Sequence, residues 1–161
     1  MSAHVVGVDP GPVPGIASLL IGRGRLTEVV VAQVSAELLP DVLRTLLERH
    51  RVRTVIQVET FVVGKRSMRS GAAGAVTRDL VGQAAQTVIE FGRSRPDHAV
   101  HYAQRTASQV KPWATDARLV AAGLSSRCSG MRHARDAARH ALWAAVHDAG
   151  LPDPLSKEWK R

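Results

Sequence analysis

The chain has 161 residues, which corresponds to about one domain, and a domain of this size can bury a sufficient core without disulfides. Its single cysteine, Cys128, has no partner for an intramolecular disulfide, which favours a reducing compartment and excludes a disulfide-stabilised scaffold. No stretch approaches the roughly 20 apolar residues of a membrane span, and the first residues lack the pattern of a signal peptide. We therefore expect a cytoplasmic protein with no membrane partner.

The charge balance favours a polyanionic partner. The chain contains 22 basic and 14 acidic residues, which give a formal net charge of +8 and a pI near 11.0. Most of the basic residues are arginines, whose planar guanidinium groups form paired hydrogen bonds with phosphate oxygens. Because excess charge also keeps proteins soluble, this balance indicates nucleic acid only in combination with other features.

The first part of the chain predicts an antiparallel meander. Residues 5–9 form a β-branched run that stops at Asp9, which is followed by proline and glycine, and this pattern predicts a buried strand that ends at a turn. Residues 16–21 and 26–34 are two further apolar runs, joined by a turn with two glycines. The first strand therefore presents a carboxylate at its carboxyl end.

A helix, a fourth strand and a long helix are predicted next. From about residue 36, leucines and valines recur at helical spacing. Residues 54–58 form a buried strand that ends at Glu59, so a second carboxylate lies where a strand ends. A basic stretch with glycines over residues 64–74 then leads into a long helix that reaches about Phe91.

The last part of the chain predicts a fifth strand over residues 98–103, short helical pieces over 105–124 and an alanine-rich helix over 131–149. A glycine and a Pro-Asp-Pro segment close that helix, and residues 152–161 are predicted to be a flexible tail. These elements predict a single α/β domain over residues 1–151, with three layers and a five-stranded mixed sheet flanked by helices. The pattern does not give the order of the strands.

Carboxylates and a histidine occur where a metal site can form. If the strands that end at Asp9 and Glu59 are neighbours, their side chains lie a few ångströms apart, and two anions at that distance favour a cation. On the last helix His133, Asp136 and His140 share one face, because they are three and four residues apart. Oxygen-rich clusters with at most one imidazole suit Mg²⁺ or Mn²⁺, and two such ions can cut a phosphodiester. Taken singly, each acid also has an ordinary structural explanation.

Three acidic segments follow one another along the chain: they read VGVDPG at residues 6–11, QVE at 57–59 and HARDAA at 133–138. In this order they resemble the three acidic motifs of RuvC-type Holliday-junction resolvases. The segment QVK at 109–111 is similar to the one that carries a functionally important lysine in that family. The resemblance spans nearly the whole chain and implies a ribonuclease H-like fold.

The resemblance also implies the function and its residues. Asp9, Glu59, His133 and Asp136 would bind two ions of Mg²⁺ or Mn²⁺ in each active site, and Lys111 would be catalytic beside the scissile phosphate. The activity implied is that of an endodeoxyribonuclease, active as a homodimer on branched DNA, that resolves four-way junctions by paired nicks. The family's dimer contact falls in the part of the chain that forms the long helix.

Six residues are assigned to DNA contacts, some by the resemblance and some by their place on a basic loop after Glu59. The segment after Lys111 departs from the family, since it reads PWATD where the family has a glycine-containing stretch. The aromatic residue after Glu59 has a shifted spacing, so a core position is equally open for it. Arg118 stands in for a second family lysine. The six residues are Phe61, Lys65, Arg66, Arg69, Lys111 and Arg118.

The role of other residues near the predicted site stays open. Arg132, Arg135 and Arg139 form a stripe on the last helix that either contacts phosphates or faces solvent. His140 is more typical of a core or surface histidine than of a ligand. Trp113 is predicted to be a packing residue.

Three other functions compete with the resolvase. An actin-like kinase or ATPase shares the opening strand with its aspartate and glycine, but it needs two domains of this size. A binding module without catalysis explains the charge and leaves the acids unexplained. The strongest alternative is a related ribonuclease H-like nuclease that acts on forks, flaps or RNA–DNA hybrids, because the fold does not fix the substrate.

Overall fold

The computed structural model describes residues 2–60 and 71–159, except for the side chains of residues 71–73. Five strands form one sheet: β1 (Ala3–Asp9), β2 (Gly15–Gly22), β3 (Arg25–Gln33), β4 (Arg53–Thr60) and β5 (Val100–Thr106). The helices are α1 (Leu39–Arg49), α2 (Gly71–Ser94), α3 (Ala107–Val110), α4 (Asp116–Ala121) and α5 (Arg132–His147). No helix in these ranges is long and apolar enough to cross a membrane.

The sheet has the order β3-β2-β1-β4-β5. The first three strands are antiparallel neighbours, whereas β4 pairs with β1 and β5 pairs with β4 in parallel. The register of β1 and β4 pairs Val8 with Val58, so both strands end at the same edge of the sheet. The predicted five-stranded mixed sheet is confirmed, and the structure adds the strand order.

Alternate residues of the central strands enter two separate cores, as expected for strands buried on both faces. Val6 of β1 and Ile56 of β4 lie in the core that α1 and α2 cover. Val5 and Val55 lie in the core on the opposite face, which α5 covers. Asp9 and Glu59 have the same parity as this second pair, so they lie on the α5 side of the sheet.

Small residues let α5 approach the sheet closely. Its buried face consists mainly of alanines that are fully shielded from solvent. A Cβ atom at Gly7 of β1 would overlap the carbonyl oxygen of Ala137, and one at Gly15 of β2 would overlap the carbonyl of His133. Glycine at these two positions therefore allows the amino-terminal half of α5 to lie directly over the end of β1.

The structure differs from one of the predicted boundaries. The fifth strand lies at Val100–Thr106, a few residues later than predicted, because its pairing with β4 continues to Thr60. The segment after Leu151 contacts the domain at two residues. Asp153 accepts hydrogen bonds from Arg118, and the Trp159 ring packs against the α5-side core.

Candidate active site

Three carboxylates meet at the carboxyl edge of β1 and β4. Asp9 ends β1, Glu59 lies next to the last residue of β4, and Asp136 lies one turn into α5. One oxygen of each lies within 4.8 Å of the other two, and among residues 2–60 and 71–159 this is the only such group. Asp9 and Asp136 are buried and Glu59 is half-buried. The predicted proximity of Asp9 and Glu59 is confirmed, since their strands are neighbours.

Each carboxylate has a basic partner. His133 Nδ1 lies 2.8 Å from Asp9 Oδ2, and His140 Nε2 lies 3.0 Å from Glu59 Oε2. Asp136 has two cationic partners, which are described next. These contacts orient the three side chains around a cleft that is also lined by Pro10, Gly11, Thr77, Lys111 and Arg132, with a volume of about 260 Å³.

Both oxygens of Asp136 accept hydrogen bonds from cations. Lys111 Nζ donates to Oδ2 at 2.9 Å, and Arg139 Nη1 donates to Oδ1 at 2.6 Å. The other terminal nitrogen of Arg139 donates to Asp116 at 2.6 Å, so the guanidinium bridges α5 and α4. A carboxylate oxygen has two lone pairs, so these hydrogen bonds leave Asp136 able to accept a further ligand.

The electrostatic environments of Asp9 and Asp136 are opposite. Burial raises the pKa of Asp9, and the neighbouring Glu59 and Asp136 carboxylates raise it further, while the hydrogen bond from His133 opposes this. Burial also opposes ionisation of Asp136, but Lys111 and Arg139 together outweigh it and lower the pKa of that carboxyl group. Of these two carboxylates, Asp9 is therefore the one whose ionised form a nearby divalent cation would stabilise more.

The donor set fits a hard divalent cation. Three carboxylates at this spacing supply the oxygen ligands that Mg²⁺ and Mn²⁺ prefer, and a half-buried cleft leaves room for water and a phosphate oxygen. His133 contacts Asp9 but does not belong to the group in which every ligand atom lies within 4.8 Å of the others. The three carboxylates are therefore the primary candidates, and His133 adjoins them.

The structure brings five predicted catalytic residues together: Asp9, Glu59, Lys111, His133 and Asp136 all line the cleft. It places Arg118 elsewhere, because its guanidinium donates to Asp153 and to the Trp113 carbonyl and stacks over the Trp113 ring. Trp113 packs edge-on against Trp143, with ring centroids 5.5 Å apart. Four of the predicted DNA contacts lie outside the described residues, namely Phe61, Lys65, Arg66 and Arg69.

Sequence reasoning missed three residues of the site. Helical spacing places Arg139 in a stripe that either contacts phosphates or faces solvent, whereas in the structure it contacts Asp136. His140 is predicted to be a core or surface histidine, whereas in the structure it contacts Glu59. The sequence gives Gln57 no role beyond its place in a motif, whereas in the structure its amide faces His140. The helical spacing already placed His140 on the face of Asp136, but its partner on β4 depends on how α5 crosses the sheet.

Comparison with known proteins identifies the fold. No family model and no curated protein sequence matches the chain. A structure of RuvC from T. thermophilus in complex with a Holliday junction substrate has a TM-score of 0.60 at 20% identity, covering 95% of this chain and 99% of that chain. A second Thermus thermophilus RuvC structure has a TM-score of 0.54 at 20% identity, covering 94% and 99%. The chain therefore has the ribonuclease H-like fold of RuvC, as its acidic motifs imply.

Proposed function

We propose that this protein is a metal-dependent endonuclease that resolves four-way DNA junctions by paired nicks. The observation that carries the proposal is the group of Asp9, Glu59 and Asp136 beside Lys111 at one edge of a RuvC-like sheet. The RuvC structure with this fold contains a Holliday junction substrate, which supports branched DNA as the substrate here. The net charge of +8 fits the same partner.

The chain's residues have distinct roles in this reaction. Asp9, Glu59 and Asp136 would hold Mg²⁺ or Mn²⁺, and His133 would orient Asp9 or bind the metal with it. A pair of ions would activate water and stabilise the leaving oxygen. Lys111 lies on the rim of the same cleft and adds positive charge beside the phosphate, where negative charge develops. Arg139 keeps Asp136 ionised and oriented through its bridge to Asp116.

A basic pocket next to the carboxylate cleft offers a path for the DNA backbone. Four basic residues line it, together with the carboxylate of Asp136 and small or apolar groups: they are Lys111, Arg132, Arg135 and Arg139. Arg132 and Arg135 have no acidic partner within 4.0 Å in the described ranges, so their charges are available to phosphates. The pocket shares Lys111, Arg132 and Asp136 with the cleft, which makes the two surfaces continuous.

The backbone path predicts a graded salt dependence. Arg132→Ala and Arg135→Ala should each weaken junction binding irrespective of sequence and lower the slope of log affinity against log salt by about one. Lys157→Ala, on an exposed residue of the carboxyl-terminal segment, is the matched control. Binding titrations at several salt concentrations measure the slope. An unchanged slope in the Arg132/Arg135 double variant would assign both arginines to a solvated face.

A homodimer and a cytoplasmic location complete the proposal. A junction has approximate two-fold symmetry, so a two-fold dimer can place one active site on each of two equivalent strands. On α2, Val76 and Ile89 expose 44% and 48% of their surface, whereas Leu80, Ala84 and Val88 of the same helix are buried in the core. The two exposed side chains lie on different sides of α2, so the choice of α2 as the contact between the two chains follows from the resemblance to the resolvase family.

One experiment separates the proposal from its alternative. Four-way, forked, flap, RNA–DNA hybrid and linear substrates are compared side by side with Mg²⁺ or Mn²⁺, with Asp136→Asn as the background control. We expect the four-way junction to be cut fastest, and a cruciform in supercoiled DNA to yield linear product by paired nicks. Preferred cutting of hybrids, forks or flaps would instead support the related nuclease. A strict monomer that releases only nicked circles would overturn the resolvase proposal.

A further inference from the structure

Glu59 has a partner unlike those of the other two carboxylates. Asp136 is held by two partly buried cations, and Asp9 by a partly buried histidine. Glu59 instead contacts His140, which is 0% exposed and lies where α5 crosses β4. The third member of this chain of contacts is Gln57, also 0% exposed, whose amide nitrogen lies 3.4 Å from His140 Nδ1.

The contact with Glu59 defines which nitrogen of His140 donates to it. A carboxylate oxygen only accepts hydrogen bonds, so Nε2 of His140 carries a hydrogen and donates to Glu59 Oε2 at 3.0 Å. The amide nitrogen of Gln57 faces the other ring nitrogen, Nδ1, while the amide oxygen of Gln57 is buried without a hydrogen-bond partner in the described part of the chain. This arrangement directs one donor at one oxygen of the Glu59 carboxylate.

The backbone keeps the three side chains in line. Gln57 and Glu59 are two residues apart on β4, so both point to the α5 side of the sheet. His140 lies one helical turn after Asp136, so the element that supplies one carboxylate also supplies the group that holds another. A glutamate has more side-chain torsions than an aspartate, and a fixed donor removes part of this freedom before any ligand binds.

We propose that Gln57 and His140 are positioning residues that fix the carboxylate of Glu59 toward the cation site. His140 occupies one lone pair of Oε2, which leaves the remaining lone pairs of the carboxylate for an ion bound together with Asp9 and Asp136. Partners of this kind change metal affinity by about 10- to 100-fold when they are removed. The inference rests on the proposed function only in taking Glu59 as a metal ligand.

The first test needs neither metal nor substrate. Nitrogen NMR of the histidine side chains in the metal-free protein at neutral pH distinguishes the two tautomers and the doubly protonated ring. We expect His140 to carry its proton on Nε2, and Gln57→Leu to reduce this preference. A proton on Nδ1 alone would overturn the assigned donation from His140 to Glu59.

The second test measures Mn²⁺ affinity by calorimetry without DNA. His140→Leu should weaken binding about 10- to 100-fold, and His140→Gln, whose amide can still donate to Glu59, should recover most of the loss. His4→Leu is the matched control, because it also removes a buried histidine but lies at the opposite end of β1. We expect this control to change stability and leave Mn²⁺ affinity unchanged.

Failure of the positioning role and failure of the proposed function give different results. If Glu59→Gln abolishes Mn²⁺ binding while His140→Leu binds as the wild type does, the positioning role is overturned and the proposed function stands. If Glu59→Gln itself binds Mn²⁺ as the wild type does, Glu59 is not a ligand, and both the metal role of the proposed function and the positioning role fail. Should His140→Leu not fold, His140→Gln and Gln57→Leu provide the same comparison.

Discussion

The two ends of the paired strands β1 and β4 differ in the environment of their polar side chains. At the carboxyl end, Asp9 and Glu59 meet a third carboxylate and open into a cleft. At the amino end, His4 is fully buried and its Nε2 lies 2.7 Å from Ser18 Oγ. Thr54, its partner in the β1 and β4 register, contacts His98 at 3.0 Å.

The difference teaches how to separate a reactive site from a structural polar cluster. Burial and the neighbouring His50, His98 and Arg49 lower the pKa of His4 to about 4, so this histidine is neutral and shielded near pH 7. The carboxyl end instead concentrates anions, and its cations line an accessible cleft. A group of like charges that opens to solvent indicates a ligand site, whereas a buried neutral histidine remote from such a group indicates packing.

The largest expected effect comes from the carboxylates. Asp9→Asn, Glu59→Gln and Asp136→Asn each remove an anion with hardly any change in volume, and each should lower cleavage about a thousandfold or more, equal to about 4 kcal/mol. Single-turnover cleavage of a four-way junction measures the loss. Thermal unfolding and junction binding should remain close to wild type. A variant that keeps near-wild-type rates at saturating Mg²⁺ would remove that residue from the ligand set.

The next effect concerns Lys111. Lys111→Ala should lower the chemical step about 100-fold and junction affinity much less, because its charge matters most as negative charge develops on the phosphate. The same change should raise the pKa of Asp136, since burial then acts with one cationic partner fewer. Cleavage rates at saturating junction concentration report the chemical step, and binding titrations report the junction affinity. Equal losses in affinity and rate would assign Lys111 to binding alone.

At the amino end, His4 should affect the stability of the protein and not its activity. His4 is neutral in the folded chain down to about pH 4, whereas the unfolded chain binds its proton near pH 6.5. The contribution of His4 to the free energy of unfolding is therefore fully present above pH 6.5. It falls by on the order of 3 kcal/mol as pH decreases from 6.5 to 4. Denaturant unfolding of wild type and His4→Gln across this range measures it.

The controls for the His4 prediction are the cleavage activity of the variant and a substitution of an exposed histidine. His4→Gln should have a flatter pH dependence than wild type and should cut junctions normally near pH 8. His101→Gln, on an exposed residue of β5, should retain the wild-type pH dependence. If His4→Gln impaired cleavage at a pH where the variant is folded, the assignment of a purely structural role to the amino end would be wrong.

The smallest effect concerns the choice of metal. His133 contacts Asp9 and offers a nitrogen near the carboxylates, and Mn²⁺ accepts nitrogen ligands more readily than Mg²⁺. We expect higher activity with Mn²⁺, and His133→Asp should shift the ratio of rates toward Mg²⁺ by about tenfold. Cleavage rates with each metal give the ratio. Equal wild-type rates with both metals would argue against His133 as a ligand.

The sequence by itself determined the local elements and most of the site. Periodicity and turn residues located five strands and the alanine-rich α5, because these signals depend on neighbours within a few positions. Asp9 and Glu59 were recognisable because each ends a buried strand, and Asp136 because it shares a helical face with His133. The order of the acidic motifs also implied the fold that the comparison with RuvC shows.

Only the tertiary structure decided which distant residues meet. The order of the strands placed β1 beside β4, and Gly7 and Gly15 allowed α5 to lie close enough for His140 to reach Glu59. Arg118 contacts the carboxyl-terminal segment for the same reason, since Asp153 folds back onto α4. Such contacts depend on packing between residues far apart in the chain, and no local pattern encodes them.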